Sequence, residues 1–230
     1  MRSEWKKIIL ITGATGFIGS ALARFWAKDN ELLLLDKNVK ALEALQDELN
    51  AAPCILPFDY EKANYEDFVK LAQLIAENYP RLDALIHLAV PEFRRTNLML
   101  STGADLDKFF KVIVKAPFLL TQALKNNLLN SENPKVAFAF TELNGAYWHS
   151  LGIMQVALEK MLNDLALENG SYQKIAWLKL NLPFIKNSPF CSRIFLETKP
   201  QIREINEILP FFNEIFTANK GRLSTLNLVV

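Results

Sequence analysis

The chain has 230 residues, half of them hydrophobic, which suits one α/β domain with a sizeable core and leaves no tract polar enough for disorder. Its 26 basic and 25 acidic residues balance to +1, which excludes a dedicated nucleic-acid or membrane-surface binder. The two cysteines, Cys54 and Cys191, and the two histidines, His87 and His149, stand at no metal or redox spacing, so no metal site and a reduced, cytoplasmic protein are expected.

The chain opens "MRSEWKKIILITGATGF", with basic residues ahead of an apolar run. That run, Ile8 to Ile11, is too short for a signal peptide, whose apolar region takes about 7–15 residues. No later stretch approaches the roughly 20 apolar residues needed to span a bilayer. Strand-like runs follow one another at Lys7–Thr12, Glu31–Leu35, Cys54–Pro57, Ala84–Ala89, Val136–Phe140, Ile175–Leu180 and Leu226–Val230. Continuous apolar runs of this length suit strands buried on both faces of a parallel sheet. Between them lie helical periods, including "SALARFWAKD", "VKALEALQDELN", "YEDFVKLAQLIAENY", "DLDKFFKVIVKAPFLLTQALKNNLL", "LGIMQVALEKMLNDLALEN" and "IREINEILPFFNEIF". This alternation predicts a Rossmann-like, doubly wound α/β fold with a parallel sheet, one domain over residues 1–230. Only Asn187–Pro200 has no clear period, and it is read as an irregular segment.

Gly13, Gly16 and Gly19 follow the first strand and open the first helix. A strand, a turn of glycines and a helix together make a phosphate cradle, with close backbone approach and the positive helix end facing the anion. Asp36 ends the second strand, 17 residues beyond Gly19. A carboxylate there accepts hydrogen bonds from an adenosine ribose and repels a 2′-phosphate, which favours NAD over NADP. Lys37 beside it weakens that discrimination, and the alternative is that Asp36 only starts a turn.

With these residues in place the chain resembles the short-chain dehydrogenase/reductase family over nearly its whole length. "TGATGFIG" is similar to the family's cofactor turn, so the resemblance implies that Gly13, Thr15, Gly16, Phe17, Ile18 and Gly19 hold the dinucleotide. "LPFDYEK" resembles the strand end where an aspartate meets the adenine amino group, which points to Asp59. "YPRLDALIHLA" resembles the fourth strand and its Asn-Asn-Ala-Gly turn, here His87-Leu88-Ala89-Val90, with Ala89 at the cofactor. Ser188 falls where the family has a threonine on the nicotinamide carboxamide. "FFKVIVKAPFLLTQAL" and "QVALEKMLNDLALE" resemble the two helices through which such proteins dimerise, and a homodimer is expected. Apolar surface in excess of one sheet-facing stripe agrees, on Phe109, Phe110, Val112, Ile113, Val114, Phe118 and Leu119 of one helix and Leu151, Met154, Leu158, Met161, Leu162 and Leu165 of the other; the alternative is that all of it is core.

The family's chemistry uses a tyrosine acid/base, a lysine four residues later, a serine and a helix asparagine. The aligned positions here are Leu151, Gln155, Thr141 and Ile113, and the family's Pro-Gly turn is Pro183-Phe184. None of the five tyrosines has a lysine four residues on, and Tyr172–Lys179, seven apart, brackets the predicted sixth strand. Tyr147 and His149 precede the helix and could act as substitute acids, with histidine the better donor near neutral pH, or could decorate a collapsed pocket. His87 at a strand end is expected to bond backbone or adenosine, and Glu142 either faces the nicotinamide or solvent. The expectation is a degenerate homologue that binds an NAD-type dinucleotide and acts by binding nucleotide, an unknown small molecule or a protein. Two alternatives stay open: an active carbonyl/alcohol oxidoreductase using Thr141, Tyr147 or His149, and a structural subunit without cofactor.

Overall fold

Strands that alternate two sets of apolar side chains need cover on both faces, and the chain supplies it. A computed structural model describes residues 6–49, 51–93, 95–141, 143, 146–168, 174–188 and 202–228. Seven parallel strands form one sheet in the order β3-β2-β1-β4-β5-β6-β9. They are β1 (Ile8–Thr12), β2 (Glu31–Asp36), β3 (Cys54–Pro57), β4 (Ala84–His87), β5 (Lys135–Thr141), β6 (Ala176–Leu182) and β9 (Leu223–Asn227). Along β1 and β2 the residues alternate, so that Leu10, Leu33 and Leu35 face one core while Ile9, Ile11, Leu32 and Leu34 face the other. The described residues thus make one Rossmann-like domain.

Helices α3 (Tyr65–Asn78), α4 (Gly103–Phe109), α5 (Ala116–Ala123) and α7 (His149–Leu167) cover the first face. Helices α1 (Phe17–Trp26), α2 (Val39–Leu49) and the short α8 (Ile205–Ile208) cover the second. A further short helix, α6 (Lys125–Leu129), leads into β5. Two of the starts are set by reciprocal capping boxes, Asn64 with Asp67 at α3 and Thr102 with Asp105 at α4.

Several boundaries differ from the sequence expectation for identifiable reasons. The long period over 105–129 is not one α-helix: a π-helical stretch, Phe110–Lys115, separates α4 from α5. Pro117 has no N–H for the carbonyl of Ile113 and its ring crowds that carbonyl, so the turn before it widens. Pro210 likewise converts the expected last helix into α8 and a 3₁₀ stretch, Leu209–Thr217. Strand β4 stops at His87 because the N–H groups of Leu88 and Ala89 turn to the Thr12 hydroxyl, at 3.2 and 3.4 Å. Strand β9 lies three residues earlier than the apolar "LNLVV" suggested. It is an edge strand with half-exposed residues, so burial does not mark it. A small parallel pair, β7 (Phe184–Ile185) and β8 (Ile202–Arg203), has no signal in the sequence pattern. The irregular segment falls mostly outside the described residues, as do Cys191, Glu142 and Tyr172.

The sheet order reverses between β1 and β4, which opens a crevice at the carboxyl ends of those strands. One wall of it stands on an aromatic cluster: Phe68 of α3 packs edge-on to Phe58 at 5.0 Å and tilted against Tyr60 at 5.9 Å. Phe68 is fully buried, so Phe68→Ala is expected to destabilise the fold by about 3–5 kcal/mol, read as a lower urea midpoint with the slope unchanged.

Candidate functional site

The crevice holds a cavity of about 390 Å³. All ten residues that the sequence and the resemblance nominated for a cofactor line it: Gly13, Thr15, Gly16, Phe17, Ile18, Gly19, Asp36, Asp59, Ala89 and Ser188. Its floor is bare main chain. Gly13 has φ 66°, and a Cβ there would lie 2.8 Å from the Ala89 Cα. A Cβ on Gly19 would lie 2.2 Å from the Gly13 carbonyl oxygen. Neither position tolerates a side chain, and the turn they make presents the start of α1 to the cavity.

No side chain caps α1, and no acidic residue occupies its first turn. Its leading N–H groups therefore keep a positive partial charge directed at the cavity. Beside it, Asp36 anchors the turn: its Oδ2 accepts from the Thr15 N–H at 3.1 Å and its Oδ1 from the Asn38 N–H at 3.1 Å. Each carboxylate oxygen keeps a second acceptor site for a ligand hydroxyl. Asp59 holds its own loop through the Glu61 N–H, at 3.0 Å to Oδ1. Sequence reasoning missed other members of this wall. Phe58, Tyr60 and Glu61, the neighbours of Asp59, also line the cavity, as do Glu92 and Phe93 from the chain after β4 and Val112 from the π-helical stretch.

The far end of the cavity is mostly apolar, with Ala139, Leu182, Pro183 and Ile185 around Thr141, Gln155 and Ser188. Leu151 is fully buried in the core beneath α7. Gln155 is paired to main chain: in the amide orientation that satisfies both partners, its nitrogen donates to the Thr141 carbonyl at 2.9 Å. Its oxygen accepts from the Thr141 N–H at 3.2 Å. The side chain thereby caps the end of β5.

Of the nominated substitute acids, Thr141 lines the cavity, whereas Tyr147 and His149 are not among the described lining residues. Tyr147 is exposed, with φ 73°, and its carbonyl accepts from the Thr96 N–H at 3.1 Å. His149, with φ 36°, packs against Phe109 at 5.0 Å and Phe93 at 6.0 Å. Two non-glycine residues in this region mark strain in the connection before α7. Arg95 fastens it, donating to the Ala146 carbonyl at 2.7 Å and lying 4.4 Å over the Trp148 ring. Phe184 stacks on Trp148, 6.4 Å between centroids, and does not line the cavity.

His87 corrects an expectation. It bonds neither backbone nor the cavity. Its Nε2 lies 3.0 Å from the Thr121 hydroxyl, which itself donates to the Pro117 carbonyl at 2.7 Å. Thr121 therefore accepts, and His87 is the neutral Nε2–H tautomer. The ring is stacked on Phe138 at 4.7 Å, and burial pushes its pKa down to about 3.

The short chain dehydrogenase family profile matches residues 7–140. The oxidoreductase YciK of Escherichia coli K12 is 31% identical over 170 residues, covering 70% of this chain and 68% of YciK. Those of a dTDP-glucose 4,6-dehydratase of Escherichia coli, 32% identical over 140 residues, cover 59% of this chain and 36% of the dehydratase. Among solved structures, YciK superposes with a TM-score of 0.86 over 100% of both chains at 25% identity. A short-chain dehydrogenase from Escherichia coli CFT073, complexed with NADPH, gives 0.84 over 97% of this chain and 96% of its own at 26% identity.

The buried histidine has a measurable consequence. Between its unfolded value near 6.5 and about 3, the unfolded chain takes a proton that folded His87 refuses. Stability is then expected to fall with falling pH below about 6.5, at up to about 1.4 kcal/mol per pH unit. Urea midpoints at pH 7 and pH 5 should separate less in His87→Gln than in the unsubstituted protein.

Proposed function

The chain belongs to the short-chain dehydrogenase family, and from that premise we propose that it binds a nicotinamide dinucleotide without the family's tyrosine–lysine chemistry. One observation carries the reading. The uncapped start of α1 and the carboxylate of Asp36, joined through the Thr15 N–H, line a cavity whose far end pairs no acid with a base among the described residues. The first-turn N–H groups of Phe17 and Ile18 would hold the pyrophosphate, and Asp36 the adenosine ribose hydroxyls. Asp59 is suited to the adenine amino group and Ser188 to the carboxamide. Bound there, such a cofactor supplies a hydride donor or acceptor.

What this chain would do with that hydride is limited by its own side chains. Leu151, aligned with the tyrosine, has no proton to exchange and no exposure. Gln155, aligned with the lysine, carries no charge to lower a neighbour's pKa, and its amide is engaged by Thr141. Thr141 remains as a hydroxyl at the cavity, with no titratable side chain bonded to it among the described residues. The protein then acts as a nucleotide-dependent binding protein whose partner is a small molecule or another protein. The relative from Escherichia coli CFT073 binds NADPH. Here Asp36, Asp59, Glu61 and Glu92 line the cavity against Lys37 alone among the described residues, a charge pattern that favours NAD.

A homodimer is part of the proposal. Phe110 and Phe118 on the helical run from α4 to α5, and Ile153 and Val156 on the adjoining α7, are apolar and exposed, Val156 at 69%. Scattered single exposures are ordinary, but a face shared by two packed helices suits a twofold interface.

The experiment is a melting series with NAD, NADH, NADP and NADPH, followed by hydride-transfer assays over a broad carbonyl and alcohol panel. Ligand at 100 times its Kd should stabilise the fold by about 2.7 kcal/mol. Stabilisation by NAD or NADH without turnover is the expected result. No shift with any of the four would leave the structural-subunit reading, and turnover abolished in Thr141→Val would establish an active enzyme. Sedimentation should show a dimer that Phe110→Glu with Val156→Glu dissociates at unchanged helix content.

A further inference from the structure

Lys37 stands next to the carboxylate that selects for a free ribose hydroxyl, and it is the only cation among the described lining residues of the cavity. On charge alone it is the group a 2′-phosphate would seek. It is already engaged. Its Nζ donates to Glu61 Oε1 at 2.9 Å, and both side chains line the adenosine end.

We propose that Glu61 is a specificity-determining residue: by holding Lys37 in this ion pair it withholds the cation from a 2′-phosphate and keeps the site selective for the unphosphorylated dinucleotide. The inference rests on the dinucleotide reading above. Glu61 is not a loose surface acid. Its loop is tied to the end of β2 by the Phe58 N–H on the Asp36 carbonyl at 2.9 Å. The Glu61 N–H sits on Asp59 Oδ1, and Lys111 Nζ reaches the Glu61 carbonyl at 3.4 Å. The loop that carries the adenine-facing Asp59 therefore also presents Glu61 to Lys37.

The surroundings reinforce the capture. The hydrogen bond that Lys37 donates to Glu61, then the charges of Glu61, Asp59 and Glu92, raise the pKa of the Lys37 ammonium against the opposing effect of its partial burial. Lys62 is turned to Asp59, at 3.5 Å. A phosphate arriving at Asp36 would have to take Lys37 from Glu61 and lie against the released carboxylate as well. The pair is about half exposed on the lysine side, so it adds little to fold stability, and removing it should leave the protein folded.

Glu61 acts through Lys37, so the readout is a ratio of affinities. Kd values for NADH and NADPH are measured by titration calorimetry on the full chain, with melting temperatures as the control for folding. The unsubstituted protein should prefer NADH. Glu61→Gln should raise the affinity for NADPH relative to NADH by about tenfold, the order expected for one nearby charge in a partly exposed site. Glu61→Asp, which keeps the charge, should hold the original ratio more closely. Adding Lys37→Gln to Glu61→Gln should remove the gain. An unmoved ratio in Glu61→Gln, a gain that survives without Lys37, or an unsubstituted protein that prefers NADPH would each overturn the proposal. Failure of the unsubstituted protein to bind either dinucleotide would instead overturn the reading beneath it, and this proposal with it.

Discussion

Three stretches of main chain meet at the carboxyl end of β1 more closely than side chains allow. Gly13 lies against Ala89 on one side and Gly19 lies against Gly13 on the other, each at a distance a Cβ would violate. That contact brings α1 down onto the sheet at the point where the strand order reverses. It sets the uncapped helix start beside Asp36, and it draws the turn after β4 onto the Thr12 hydroxyl. The cavity is what remains between these backbones. Its walls are varied by loops, but its floor follows from the absence of side chains at two positions.

The two ends of that cavity have different chemistry. At the adenosine end, carboxylates are held by main-chain N–H groups and by lysines, which fixes their geometry and leaves acceptor capacity for a ligand. At the other end, polar groups are turned inward on the protein. Gln155 completes the end of β5, Trp148 is sandwiched by Arg95 and Phe184, and His149 is packed among phenylalanines. A site built to move protons needs groups with hydrogen-bonding capacity to spare. At the adenosine end the spare capacity is on carboxylates that line the cavity, whereas the unpartnered His87 Nδ1, His149 Nδ1 and Ser150 hydroxyl are buried in the protein.

The sheet and the glycine turn were legible in the sequence because both depend on local patterns. Strands buried on both faces give unbroken apolar runs, and a backbone crossing demands glycine at fixed spacing. The failures have equally local causes. Pro117 and Pro210 sit inside convincing helical periods and alter them without ending them. The edge strand β9 lacks the burial that marks the others. The site was legible to the extent that it is main chain and a strand-end aspartate. Phe93 and Val112 were not, since they reach the cavity across sequence separations that no spacing rule covers, and Glu61, two residues past Asp59, carried no signal that its side chain would turn to Lys37. His87 was misjudged because a polar residue at a strand end suggests a ligand, whereas Thr121, 34 residues away, takes its Nε2 inside the core and its Nδ1 is buried without a partner.

The central claim is that this cavity grips a dinucleotide by its adenosine diphosphate half and leaves the other half without a proton relay. A crystal structure of the protein grown with NADH tests it most directly. The pyrophosphate should lie on the first turn of α1, the adenosine ribose hydroxyls on Asp36, and Gln155 should remain bonded to the Thr141 main chain. Gln155 released from Thr141, with a titratable side chain brought within hydrogen-bond reach of the nicotinamide, would contradict the account.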